Sequence, residues 1–227
     1  MTPIKDAFWT ILSGLLVSLV IYHTGIAATD FNKLSNLANQ RYGERARATI
    51  LELQTTVNEL KSASELDKLK AINAFVNRKI RFFDEDINIW GVADYWATPL
   101  ESLGKERGDC EDFSIAKYIF LKELNIPDER LKLTYVRAQI GGPYSKIFQA
   151  HMVLTYYASP SAEPLVLDNL IPDIRQASRR KDLTPIFSFN SEGLWIGTAN
   201  AASKGDPSSH LSRWRDVLAR IQADGIE

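Results

Sequence analysis

The chain of 227 residues carries 27 basic and 28 acidic side chains, so its formal net charge at pH 7 is -1. This balance argues against a nucleic-acid-binding protein and predicts a protein or small-molecule partner. Apolar residues make up 45% of the chain and aromatic residues 10%, which excludes general disorder and is sufficient for one globular core.

The N-terminal segment is apolar and, from Ala7 to Thr29, contains no charged residue. We interpret residues 1–28 as a signal peptide or an N-terminal membrane anchor, followed by a single domain at residues 29–227. The small residues from Gly25 to Ala28 favour a cleaved signal. The nearly neutral start and the length of the apolar run favour an anchor. Of the two, we prefer the export signal.

The next part of the chain, from about Lys33 to Ile80, has the apolar spacing of two or three packing helices. Ser64 followed by Asp67 indicates a helix start with a capping box. The aromatic stretch from Phe82 to Pro99 predicts a loop. Its Trp and Tyr side chains either line a peptide groove or cover the core, and the sequence leaves both open.

The single cysteine, Cys110, lies in the run from Gly108 to Phe113. Apolar residues then recur at helical spacing as far as Leu124, so we expect Cys110 in the first turn of a helix. The helix dipole and free N–H groups there favour a thiolate. A lone cysteine in an exported chain has no internal disulfide partner, which favours a nucleophile over the alternative of a small buried apolar residue.

Two strands, Leu131 to Ala138 and Phe148 to Tyr157, follow the helix, and a third runs through Leu165 to Asn169. We predict that the last two form an antiparallel hairpin around a four-residue turn at Ala158 to Ser161. That register places His151 directly opposite Asp168, within hydrogen-bonding reach. Nucleophilic catalysis by a thiol needs such a base, oriented by a third group.

Several motifs together resemble the bacterial transglutaminase-like cysteine proteinases from about residue 30 to residue 200. They are Trp96 to Pro99 with Glu101, Gly108 to Phe113, Lys117-Tyr118, Tyr135-Val136, His151 to Leu154, Leu165 to Asn169, and Phe187 to Asn190 before Gly193 to Trp195. The resemblance implies an α+β, papain/transglutaminase-like fold in which N-terminal helices and a catalytic-cysteine helix pack on an antiparallel sheet. It also implies Cys110 as nucleophile, His151 as base and Asp168 as the orienting carboxylate.

Three carboxylates, Asp109, Glu111 and Asp112, flank the cysteine. Like charges so close raise the pKa of a thiol, so we expect a cation to neutralise them. Calcium prefers hard oxygen ligands, and the resemblance implies calcium bound at these residues. The alternative without metal is helix capping, with Asp109 at the N-cap and Asp112 three residues on.

The resemblance further implies a periplasmic endopeptidase that cuts a large surface adhesin at a paired-alanine site in its N-terminal region and so promotes biofilm dispersal. It implies an inner-membrane cyclic-di-GMP receptor whose periplasmic domain sequesters the protease. A transglutaminase-type amine acyltransferase and a non-catalytic calcium-binding interaction protein are the alternatives. Elsewhere, we expect the basic run Arg179 to Lys181 to be solvated and Leu211 to Ile221 to form a terminal amphipathic helix.

Overall fold

The computed structural model describes residues 29–196 and 212–226. The predicted signal or anchor at residues 1–28 lies outside this part. Within the described ranges, every helix is too short or too polar to cross a membrane.

Helices form the N-terminal half and the C-terminal end. Their bounds are α1 Phe31–Tyr42, α2 Glu44–Leu60, α3 Glu65–Lys79, α4 Asp86–Trp90, α5 Pro99–Lys105, α6 Cys110–Glu123 and α7 Ser212–Asp224. The predicted helix start at Ser64 is confirmed, because its side chain accepts a hydrogen bond from the Asp67 N–H at the start of α3. The Asp67 carboxylate accepts from Ser64 Oγ and not from the Ser64 N–H, so only half of the predicted capping box forms. The periodic run after Cys110 is confirmed as α6 and the terminal amphipathic pattern as α7.

The strands of the second half are β3 Leu131–Ile140, β4 Ile147–Tyr156, β5 Leu165–Leu167, β6 Arg175–Gln176, β7 Leu183–Phe189 and β8 Leu194–Ile196. They form a six-stranded antiparallel sheet in the order β6-β5-β4-β3-β7-β8. A small parallel pair, β1 Arg81–Phe82 and β2 Arg107–Gly108, leads into α6.

The main core lies between the helices and one face of the sheet. On β4, alternate side chains such as Met152 and Leu154 are buried in this core, as the two-residue period of a strand requires. Val153 points to the opposite face, where it joins a smaller apolar cluster with Val136 and Val166. Helix α6 is buried from Asp112 to Leu121, so the sheet and the other helices fix its N-terminus in place.

The predicted hairpin forms, but its register differs from the prediction. Leu154 lies opposite Leu167 and Tyr156 opposite Leu165, a shift of two residues from the pairing that would set His151 against Asp168. The connecting loop runs from residue 157 to residue 164, twice the predicted length. A shift of two residues preserves the face on which each side chain lies, so His151 and Asp168 still share one side of the sheet.

Candidate active site

The cysteine lies where the first turn of α6 meets the edge of β4. Asp109 is the N-cap and Cys110 the first helical residue. The Met152 N–H of β4 points to Cys110 Sγ, and the Met152 carbonyl accepts a hydrogen bond from Ser114 Oγ at 3.1 Å. These contacts fix the half-buried thiol beside the strand that carries His151.

Glu111 makes direct contact with the thiol. Cys110 Sγ donates to Glu111 Oε2 at 2.8 Å, and Tyr135 Oη donates to Glu111 Oε1 at 3.1 Å. Burial raises the pKa of the Cys110 thiol above its usual range, and the negative charge of Glu111 raises it further. In the protein alone, these effects outweigh the helix dipole that favours a thiolate.

His151 and Asp168 form a buried pair at the same site. His151 Nε2 lies 2.8 Å from Asp168 Oδ1, with 5% and 0% of the two side chains exposed. Asp168 follows the last residue of β5, and its Oδ1 also accepts the Leu170 N–H at 3.0 Å. Burial raises the pKa of Asp168, but the contacts with His151, the Leu170 N–H and Arg180 together lower it to about 2. Asp168 is therefore a carboxylate over the whole physiological range.

The basic run at residues 179–181 is not uniformly solvated, and for Arg180 that expectation was wrong. The Arg180 side chain is 2% exposed and donates from Nη2 to Asp168 Oδ2 at 2.7 Å. Nη2 and Nε also donate to Asp182. Arg180 turns inward because two carboxylates lie within its reach, while its neighbours in the run stay exposed. No local sequence signal distinguishes it from them.

A second buried basic residue lies near Asp168. Lys117 of α6 is 1% exposed. Burial lowers its pKa to about 7, against the opposing attraction of Asp168. Asp168 is thus held by His151 and Arg180, and its charge partly offsets the effect of burial on Lys117.

Three aspartates meet beside the cysteine. Asp86, Asp109 and Asp112 each offer a ligand atom, and these atoms all lie within 4.8 Å of one another. Of the predicted metal ligands, Asp109 and Asp112 are in this cluster, whereas Glu111 turns toward the thiol. Asp86 of α4 was not predicted as a ligand. The acidic run from Asp84 to Asp86 was its only signal, and nothing local shows that this loop folds back onto α6.

The hydrogen bonds of the cluster leave two oxygens free. The Tyr95 N–H donates to Asp86 Oδ2 at 2.6 Å, and Asp112 accepts from the Ala97 and Asp109 N–H groups at 2.7 and 3.3 Å. The bond to the Asp109 N–H is the capping interaction considered above. Asp86 Oδ1 and Asp109 Oδ1 are buried without a hydrogen-bond partner among the described residues. Capping therefore accounts for only part of the cluster.

The charges in the cluster repel one another. Burial, followed by the charges of Glu111 and Asp112, raises the pKa of Asp109 to about 10. The pKa of Asp86 and that of Asp112 are also raised, mainly by burial. Buried carboxylates with unpaired oxygens form the hard donor set that Ca²⁺ takes, so the residues present fit a calcium ion.

Cys110 and His151 line one cleft of 960 Å³. Its remaining lining includes acidic residues from Asp84 to Asp86 and the side chains of Phe82, Ile87 and Leu170. Of the two roles considered for the Trp and Tyr side chains of the aromatic stretch, Trp96 takes the second: it is buried and stacks on Phe189 with ring centroids 5.8 Å apart. Phe82, at the start of the stretch, lines the cleft.

The sequence profile of the bacterial transglutaminase-like cysteine proteinases (BTLCP) matches residues 39–184. The chain belongs to this family of cysteine proteases. Three solved structures of Legionella pneumophila LapG are similar to it. LapG is 33% identical, with a TM-score of 0.71, over 86% of this chain and 99% of LapG. The α+β fold expected for this BTLCP member is confirmed.

The other two LapG structures represent two metal conditions. EGTA-treated LapG is 34% identical with a TM-score of 0.73, over 86% of this chain and 99% of that one. Calcium-bound LapG is 34% identical with a TM-score of 0.71, over 84% and 98%. No curated protein sequence matches this BTLCP chain closely enough to count as a relative.

Proposed function

We propose that this BTLCP protein is a calcium-dependent cysteine endopeptidase with Cys110 as nucleophile, His151 as base and Asp168 as the orienting carboxylate. The observation that carries the proposal is the 2.8 Å bond between His151 and Asp168 in the cleft that also contains the only cysteine. A nucleophile, a base and a group that orients the base are the parts that covalent acyl transfer requires.

The chemistry follows from the contacts of each group. Asp168 occupies His151 Nε2, which leaves Nδ1 to exchange protons with the thiol. Cys110 gives its proton to His151 and attacks the peptide carbonyl, and His151 then protonates the leaving amine as the C–N bond breaks. Water, deprotonated by His151, hydrolyses the thioester and regenerates the thiol.

Calcium would be held by Asp86, Asp109 and Asp112. When bound there, it supplies positive charge next to Cys110 and so favours the thiolate. The two unpartnered buried oxygens of Asp86 and Asp109 support this assignment. The calcium-bound LapG structure supports it further, since LapG is 34% identical to this chain.

For the substrate, we propose a large surface adhesin, cut at a paired-alanine site in its N-terminal region, with release of the adhesin and biofilm dispersal as the result. The enzyme would act in the periplasm, exported by its N-terminal segment, and would be sequestered by the periplasmic domain of an inner-membrane cyclic-di-GMP receptor. The likeness to LapG over nearly all of that chain supports this proposal.

The test is cleavage of an adhesin-like Ala-Ala peptide by residues 29–227, with calcium and with chelator. We expect calcium-dependent cleavage by the wild type and none by Cys110→Ala. Cleavage by Cys110→Ala would contradict the mechanism, and equal cleavage in chelator would contradict the role of calcium. A competing primary amine separates hydrolysis from acyl transfer, because an acyltransferase would convert most of the thioester into amide.

A further inference from the structure

Strand β4 has an open edge that leads to the thiol. It is ten residues long, but β5 pairs only with Leu154, Thr155 and Tyr156. From Ile147 to Val153, β4 has no strand partner on that side within the described ranges. The chain leaves β4 after Leu167 because Asp168 Oδ1 accepts the Leu170 N–H, which turns the backbone away.

The contacts of Met152 show which backbone groups face the open edge. Its carbonyl accepts from Ser114 and its N–H points to Cys110 Sγ, so both groups face away from β3. Backbone groups alternate in direction along a strand. Ala150 and Phe148 therefore point their N–H and C=O groups to the same edge, whereas Gln149 and His151 point theirs to β3.

The edge is accessible next to the site. Both Phe148 and Ala150 are exposed, and their outward N–H and C=O groups have no hydrogen-bond partner among the residues the structure describes. Gln149 and Ala150 line the same cleft as Cys110. Free strand edges invite pairing with another chain, and proteins usually cover them or block them with charge. Here the edge instead continues into the catalytic cleft.

We propose that the substrate polypeptide binds as an added β-strand on this edge, paired with Phe148 and Ala150. Ala150 lies two residues, about 7 Å, from Met152, whose N–H faces Sγ. A substrate chain paired with Ala150 would therefore place the peptide bond that follows the paired residue at the thiol. Main-chain hydrogen bonds would supply affinity, and alternate side chains would contact the apolar lining at Phe82, Ile87 and Leu170. The inference rests on the proposed function and specifies its substrate class: an extended segment without proline at the pairing positions.

Residue-resolved amide exchange tests the pairing without catalysis. The probe is the Ala-Ala peptide, added to the calcium-loaded Cys110→Ala protein. We expect the Phe148 and Ala150 amides to exchange at least tenfold more slowly, with Gln149 and His151 unchanged because β3 already pairs them. Equal slowing of all four, or binding without slowing, would overturn the pairing. If the pairing is overturned but the wild type cleaves the peptide, the proposed endopeptidase activity still holds. If the peptide is neither cleaved nor slows amide exchange, both the pairing and the endopeptidase activity are overturned.

A proline at Ala150 gives a second readout. Ala150→Pro removes one edge N–H, and proline is tolerated at strand edges. We expect kcat/KM for the peptide to fall at least tenfold, while alkylation of Cys110 by iodoacetamide, which makes no strand contacts, stays within twofold of the wild type. An equal fall in alkylation would overturn the inference, because the proline would then act on the thiol. Unchanged kcat/KM would overturn it too.

Discussion

Arg180 lies in a basic run that the sequence predicts to be solvated, yet it is buried beside the proposed catalytic residues. It links Asp168 to Asp182 and is almost fully buried. Removal of one partner of a buried ion pair leaves the other uncompensated. We therefore regard Arg180 as a positioning residue that holds Asp168 in place for His151.

Arg180→Met should lower the free energy of unfolding by about 3 kcal/mol, since Asp168 then loses its buried partner. It should also lower kcat, because the bond that fixes Asp168 Oδ2 is lost. Asp182→Asn is the matched control. It keeps the bond between Asp168 and Arg180, and we expect it to cost about 1 kcal/mol. Urea denaturation with peptide assays checks both, and equal losses in the two variants would contradict the special role of Asp168.

The aspartate cluster predicts an unusual pH dependence. The pKa of Asp109 lies near 10 in the folded chain, above its ordinary 3.8. Between these values the folded state binds more protons than the unfolded state, so stability falls as the pH rises. In chelator, the Tm should therefore be lower at pH 8 than at pH 5, and calcium should reverse this loss.

Asp109→Asn tests this explanation, because it should increase the stability of the folded chain and not decrease it. The variant should be more stable than the wild type at pH 8 in chelator, because asparagine removes the cost of keeping Asp109 protonated in the fold at a pH where the unfolded chain ionises it. Calcium should raise the Tm of this variant only slightly. Asp173→Asn, an exposed change in a residue bonded to Arg175, should leave the calcium response intact. Thermal unfolding followed by circular dichroism measures both. A wild-type calcium response in Asp109→Asn would exclude the cluster as the metal site.

At the scale of secondary-structure elements, the sequence pattern predicted the main helix and strands correctly, but the predicted pairing register of β4 with β5 was wrong. The apolar spacing after Cys110 predicted α6, and two runs of strand-type composition predicted β3 and β4. The register of β4 and β5 depends on the loop length, and the turn residues from Ala158 to Ser161 predicted a loop that was too short. Asp86 and Arg180 were missed for a related reason. Asp86 meets Asp109 and Asp112, and Arg180 meets Asp168, only through tertiary packing.

Helix α7 should contribute strongly to stability through one side chain. Trp214 is fully buried and makes edge-to-face contacts with Tyr118 and Phe189, with ring centroids 5.5 and 5.6 Å away. Trp214→Ala should cost about 3–5 kcal/mol of unfolding free energy. Arg215→Ala, at the exposed next residue, should change it by less than about 0.5 kcal/mol. Chemical denaturation compares the two, and a small loss for Trp214→Ala would show that α7 is dispensable.

At the scale of the whole molecule, we predict a domain that begins near Thr29. Thr29 Oγ1 donates to Glu123 at 2.6 Å, at the end of α6, and the Asp30 N–H donates to the Gly225 carbonyl at 2.9 Å. We expect residues 29–227 to unfold cooperatively with the Tm of the full chain. Residues 44–227, which lack α1, should be clearly less stable in the same calorimetric scan. Equal stability of the two shortened chains would contradict a boundary at residue 29.

The bond between Asp30 and Gly225 brings the two ends of the folded unit together. A short linker between them would close the chain, and new termini in the exposed loop at Ser159 and Pro160 would yield a circular permutant with the same fold. The order of the proposed catalytic residues along such a chain would change from Cys110, His151, Asp168 to Asp168, Cys110, His151. Their order along the chain therefore depends on where the N- and C-termini lie in the fold, whereas the chemistry depends only on how the residues meet in space.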